Sequence, residues 1–270
     1  MLESLGASIE SNIAALSQRW PMARKSRLQL NPDECKIPFP APENIKRICG
    51  SEWDPEFFRV SGKIDAQVLV NIAEVYGICD SPWVLEWGVG CGRITRHLPL
   101  QWFDELTCFD VDNVNLDWCR FAFHQWNVVF SKVSHDADLF PSFEQFNQYD
   151  LIYGFSVFTH LSEHDQIAWL KVLSSICRGL MVFSVHGLRH SLSAEWMKNP
   201  VELLQWIGYG FKDSQQQNHD IDGQVPDMYY RDIAHTPAYI REVWGSVVDV
   251  LDIIPGAFGH FHDAVVCRRK

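Results

Sequence analysis

The sequence predicts an α/β, doubly wound fold around a parallel sheet. Two observations carry this. Short apolar runs alternate with amphipathic segments from residue 61 to 186, and a glycine loop follows the first of those runs. Parallel strands are buried on both faces, so they read as near-continuous apolar stretches, and each needs a crossover, usually helical.

The elements are taken in chain order. Ile64, Val68, Ile72 and Val75 recur at helical spacing, and Gly77 ends the run. Residues 83–86 form a strand that enters the glycine loop. Residues 94–98 form a short helix stopped by Pro99, and 106–109 a second strand ending at Asp110. Leu116, Cys119 and Phe123 mark a helical face, and 128–133 and 149–154 are the third and fourth strands. Ser162 and Asp165 have capping-box spacing. Ile167, Leu170, Leu173 and Cys177 share one face of the next helix, which Gly179 closes before a fifth strand at 180–185. Residues 187–237 are polar and break the alternation, as expected for an insertion, and long insertions often serve as lids. A helix at 238–244, a strand at 248–254, a turn at Pro255 and Gly256, and a strand at 264–267 complete the chain. Residues 1–60 differ. A helix is expected at 9–20, then prolines at 32, 38, 40, 42 and 55 exclude a long helix or a central strand. This region is expected to be an N-terminal arm or cap on a core of residues 61–270.

A chain of 270 residues suits one large domain. The net charge of −11 argues against a general nucleic-acid or anionic-membrane surface. No apolar run reaches the length of a bilayer span, and residues 1–16 lack the pattern of a signal peptide. The expectation is a cytoplasmic protein with neither nucleic acid nor membrane as partner. The eight cysteines form no CxxC pair, so they are expected to be reduced thiols, not a zinc knuckle or disulfide framework.

Gly88, Gly90 and Gly92 come after the first strand and precede a helix, which puts residues without Cβ where backbone meets a ligand. A dinucleotide fingerprint requires Gly-x-Gly-x-x-Gly, and the sixth position here is Arg93. A nicotinamide-dependent oxidoreductase is therefore a disfavoured alternative. Asp110 ends the second strand, where a carboxylate accepts the ribose hydroxyls of a nucleoside. Asp112 is the near alternative and fits a helix N-cap better. Asp136 and Ala137 come after the third strand, placed to meet an adenine. Phe155 and Ser156 come after the fourth, where a ring can pack on a base or in the core.

Three segments together resemble the class I S-adenosylmethionine (SAM)-dependent methyltransferase family: residues 84–93, 108–112 and 149–161. The last resembles a bacterial subset often associated with glycan or secondary metabolism, as do 252–256 and 263–266. The resemblance covers roughly 62–186 and 238–270. It implies a Rossmann-like seven-stranded sheet with an antiparallel last strand and SAM as cofactor. It further implies that Glu86 and the three glycines face the methionine and ribose end, that Asp110 holds the ribose, and that Asp136 and Ala137 hold adenine.

Methyl transfer to a hydroxyl benefits from a general base, and histidine is the usual choice. His160 comes after the fourth strand and His186 ends the fifth, on the sheet edge where ligands bind. These two are the candidate catalytic residues. His260 and His262 fall on the same edge if the last strand is antiparallel, and the insertion adds His190, His219 and His235. His160 with His164, and His186 with His190, have spacing that can bind metal on a helix, but no Glu completes an HExxH motif, so no metal is expected. Trp196, Trp206, Tyr209, Tyr229 and Tyr230 can form the insertion's own core or stack on an acceptor. The expected function is methylation, at oxygen rather than nitrogen, of a small-molecule or glycan acceptor. A non-catalytic SAM-binding regulatory or scaffold module is the alternative from another class.

Overall fold

The computed structural model describes residues 28–49, 54–140, 148–259 and 261–270. The helix expected at 9–20 and His260 lie outside them. Five parallel strands, β1 (Trp83–Trp87), β2 (Glu105–Asp110), β3 (Val128–Lys132), β4 (Tyr149–Gly154) and β5 (Cys177–His186), stand in the order β3-β2-β1-β4-β5. Strands β6 (Phe211–Gln217) and β7 (Arg231–His235) form a separate two-stranded antiparallel sheet. Strands β8 (Val248–Phe258) and β9 (His262–Arg269) complete the seven-stranded sheet as β5-β9-β8, with the last strand antiparallel to both neighbours. The strand order reverses between β1 and β4, which opens a crevice at their carboxyl ends.

Successive strand residues point to opposite faces, so each strand feeds two cores. Val84, Leu106, Leu151 and Val182 pack under helices α2 (Pro55–Val75) and α3 (Asn113–Ala122). Leu85, Phe109, Ile152 and Phe183 pack under α4 (Glu163–Ile176) on the other face. Trp87 anchors the second core, 4.8 Å from the Phe158 ring and 5.1 Å from Trp169.

Several boundaries differ from those expected from the sequence. Pro55 starts a helix instead of preventing one. It sits in the first turn of α2, where its missing N–H costs nothing, and Asp54 caps Glu56 and Phe57 at 2.9 and 3.1 Å. The helix therefore crosses the expected 60/61 boundary. Gly179 does not close α4. It lies inside β5, where a Cβ would sit 2.0 Å from the Asp150 carbonyl oxygen. Pro255 and Gly256 do not turn the chain. They ride within β8, an edge strand that tolerates a missing donor, and the reversal comes at Gly259. In place of an α-helix at 94–98 there is a 3-10 turn, Thr95–His97.

The stretch before α2 carries helix α1 (Pro42–Cys49). Arg96, 2% exposed, ties this stretch down by donating to the carbonyls of Ile37 and Pro38 at 2.6 and 3.2 Å. Residues 187–237 hold α5 (Leu188–Ser193), α6 (Pro200–Tyr209) and the β6–β7 hairpin, with Met197, Trp206 and Ala234 as a small core. Helix α7 (Pro237–Glu242), capped by Thr236, returns the chain to the sheet.

Candidate active site

A cavity of about 510 Å³ opens at the carboxyl ends of β1, β2, β4 and β5. Glu86, Gly88, Gly90, Asp110, Phe155, His160 and His186 all line it. Gly88 and Gly90 have φ of +83° and +53°, a region that penalises any side chain. A Cβ on Gly88 would come within 2.3 Å of Val157 Cγ2, and one on Gly90 within 2.8 Å of Ile48 Cγ2. Gly92 faces elsewhere: a Cβ there would meet the Phe123 ring at 2.7 Å, so it serves the packing of α3 and does not line the cavity.

Asp110 accepts from the Gly90 amide at 2.7 Å and the Asp112 amide at 2.8 Å. Burial pushes its carboxyl up to about 6, against the pull of those amides. Asp112 is fully buried outside the cavity wall. It caps α3 at the Val114 amide and pairs with Arg47 Nε at 2.6 Å, so its oxygens are occupied. Glu86 is 2% exposed, accepts from the Thr95 hydroxyl, and is pushed up to about 7 by burial.

Asp136 caps a 3-10 turn through the Asp138 amide at 2.9 Å, and Ala137 packs into the core. Neither lines the cavity, whereas Val133 and His135 beside them do. Phe155 packs on Phe258 at 5.1 Å and His262 at 5.3 Å, under the Arg93 guanidinium at 4.6 Å. Arg93 is held by Asp65 at 2.7 Å. The ring thus belongs to the side of the cavity formed by β8 and β9.

Around His186, 5% exposed, the rings of His190, His262 and His160 lie 3.6, 4.7 and 6.0 Å away. Burial, with mutual repulsion, holds His186 well below the ordinary imidazole range. Burial lowers His190 to about 4 and His262 to about 3, so all three are neutral near pH 7. His186 Nδ1 lies 3.0 Å from the Ile233 carbonyl oxygen, and His160 Nδ1 3.0 Å from that of Arg231. Asp232 Oδ1 is 3.4 Å from His160 Nδ1, and Tyr230 stacks on the His160 ring at 4.0 Å. Among the described residues, no group of three His, Cys, Asp or Glu is placed to hold a metal ion. His235 is a core residue bonded to Gln166 at 2.9 Å, and His219 pairs with Asp222 at the surface. Tyr229 and Tyr230 line the cavity, while Trp206 belongs to the insertion's own core and Tyr209 is exposed. Arg47, His135 and Asp232 escape a reading of the sequence, because each reaches the cavity from a segment where no motif marks it.

Residues 84–179 match the family model of a methyltransferase domain. Over that stretch, about a third of the chain, the sequence is similar to a methyltransferase domain. The match spans β1 to the start of β5, including the glycine loop, Asp110 and His160. Solved structures share the fold over a longer stretch of the chain. One is a S-adenosylmethionine-dependent methyltransferase from Clostridium acetobutylicum, at 12% identity and TM-score 0.56, covering 83% of this chain and 95% of that one. A second is magnesium protoporphyrin IX methyltransferase from Synechocystis with bound SAH, at 16% and 0.52, covering 84% and 94%. A third is a glycopeptide N-methyltransferase complexed with sinefungin, at 18% and 0.53, covering 77% and 87%. No curated protein matches the chain by sequence. No helix among the described residues is long and apolar enough to cross a membrane.

Proposed function

We propose that the methyltransferase domain uses SAM to methylate a hydroxyl of a small-molecule or glycan acceptor. The observation that carries this is one cavity with a nucleoside-type wall and an imidazole wall: Gly88, Gly90 and Asp110 on one side, His160 and His186 on the other. The cofactor fits the residues present. Two glycines bare their backbone to the cavity, and Asp110 offers a buried carboxylate to vicinal hydroxyls. Asp110 would hold the ribose. Glu86 would accept from the methionine ammonium, whose charge would favour the ionised carboxylate over the protonated form that burial promotes. Val133 and His135 would face the cofactor's base, with Asp136 and Ala137 shaping the turn behind them. Phe155 flanks the acceptor side, with Phe258 and His262.

When bound, SAM supplies a methyl group made electrophilic by the adjacent sulfonium. The protein aligns the acceptor oxygen with that methyl and removes its proton. His160 or His186 would take the acceptor's proton, and burial keeps His186 neutral near pH 7. A hydroxyl acceptor must lose its proton during the attack, whereas a neutral amine can shed it afterwards, so imidazoles on the cavity wall favour a hydroxyl. The test is transfer of isotope-labelled methyl from SAM to a panel of hydroxylated and amino compounds, with His160→Ala and His186→Ala beside the parent. Labelled ethers from the parent, reduced about 100-fold or more in one variant at unchanged SAM affinity, support the reading. Labelled amines alone, or SAM binding without turnover on any compound, overturn it.

A further inference from the structure

We propose that strand β7 is a positioning element for the histidines, in which the carbonyls of Arg231 and Ile233 fix His160 and His186 as Nδ1–H tautomers and Asp232 stabilises a proton on His160. The role in proton transfer rests on the functional reading above; the tautomers and the charge effect do not.

A carbonyl oxygen has no proton to donate, so a ring nitrogen hydrogen-bonded to one must carry the hydrogen. Both Nδ1 atoms stand 3.0 Å from such an oxygen. A neutral imidazole with Nδ1 protonated has a bare Nε2, the form that accepts a proton. Residues 231 and 233 are two apart on one strand, so their carbonyls emerge on the same edge. The same two residues donate their amides to the carbonyls of His160 and Thr159, at 3.0 and 2.8 Å. Strand register therefore sets the position of β7 against residues 159–160 and the orientation of both rings together.

Asp232 lies between these two residues, 3.4 Å from His160 Nδ1, and accepts from Asn218 Nδ2 at 3.3 Å. Burial opposes its charge, but the contacts with His160 and Asn218 hold it below the usual carboxylate range. Other groups face His160: Asp220 from the hairpin, His186 and His190 from the end of β5 and α5, His262 from β9, and the Tyr230 and Ser156 hydroxyl-bearing side chains. Asp220 is raised by burial. Asp232 is thus the carboxylate beside Nδ1, and a proton taken at Nε2 leaves an imidazolium facing it.

Long-range proton–nitrogen NMR of the histidine-labelled protein near neutral pH reads the tautomers directly, with peaks assigned from His160→Gln and His186→Gln. The expected result is a protonated Nδ1 and a bare Nε2 on both rings. A protonated Nε2 with a bare Nδ1 on either ring overturns the carbonyl assignment. In Asp232→Asn, the midpoint of the His160 nitrogen titration should move down, since the carboxylate 3.4 Å from Nδ1 is gone. The His186 tautomer should persist in that variant, showing that β7 keeps its place. An unmoved or raised His160 midpoint with His186 intact removes Asp232 from the proposal. Neither measurement needs an acceptor or turnover, so each can fail while methyl transfer stands.

Discussion

Single residues divide between touching the cavity and supporting it, and the three glycines make the division testable. Gly88→Ala places a methyl 2.3 Å from Val157 at positive φ on the cavity wall. Strain and overpacking of about 2–4 kcal/mol should weaken SAM binding by roughly tenfold or more. Gly92→Ala presses on Phe123 away from the cavity, so it should lower the melting temperature and leave SAM affinity within about threefold. Calorimetric titration beside thermal unfolding separates the two, and equal losses of affinity would contradict the division. The carboxylates predict a pH dependence. Glu86 and Asp110 hold their protons up to about 7 and about 6, and in the function proposed above the ligand's ammonium and ribose hydroxyls need the ionised forms. Affinity for SAH should therefore fall as pH drops from about 8 to about 5.5, and Glu86→Gln should flatten the upper part of that fall. A pH-independent affinity would show that neither carboxylate meets the ligand.

Secondary-structure elements show most clearly what was legible in the sequence. The strand, glycine loop and acid of β1 and β2 are local, because periodicity, glycine and a strand-ending Asp fall within a few residues of each other. Ser162 was legible as a cap for the same reason and accepts from the Asp165 amide at 3.2 Å. Helix α1 was not. Its place depends on Arg47 reaching Asp112, Asn44 reaching Asn115 at 3.0 Å, and Ile48 lying against Gly90, all between segments far apart in the chain. Arg47→Ala leaves the buried Asp112 with only its cap and Asn115 as partners. Because Arg47 is partly exposed, the loss should be about 1–3 kcal/mol, less than for a fully buried pair. Urea unfolding measures it, and a change under about 0.3 kcal/mol would mean that α1 docks through its apolar residues alone.

For the molecule as a whole, buried titrating groups set the response to acid. Burial depresses His97, His186, His190, His235 and His262, and raises Glu86, Asp110, Asp220 and Asp263. Between about pH 6 and 4.5 the unfolded chain charges the histidines while the folded chain keeps protons on the carboxylates. The histidines are the larger group, so the unfolded state binds more protons and stability should fall with pH, on the order of 1 kcal/mol per unit. A melting temperature that rises as pH drops over that interval would reverse the sign. The same burial explains why the histidine cluster was only half legible: the sheet edge could be foreseen from strand order, but His190 stacking on His186 and β7 lying beside both depend on how the insertion folds back. That hairpin has an implication for redesign. The atoms that aim His160 and His186 are peptide oxygens, common to every amino acid. Replacing Arg231 or Ile233 would leave them in place, and neither side chain lines the cavity. Adding or removing one residue within β7 would turn those oxygens to the opposite edge. The orientation of both rings is encoded there in spacing, which substitutions at those two positions leave unchanged.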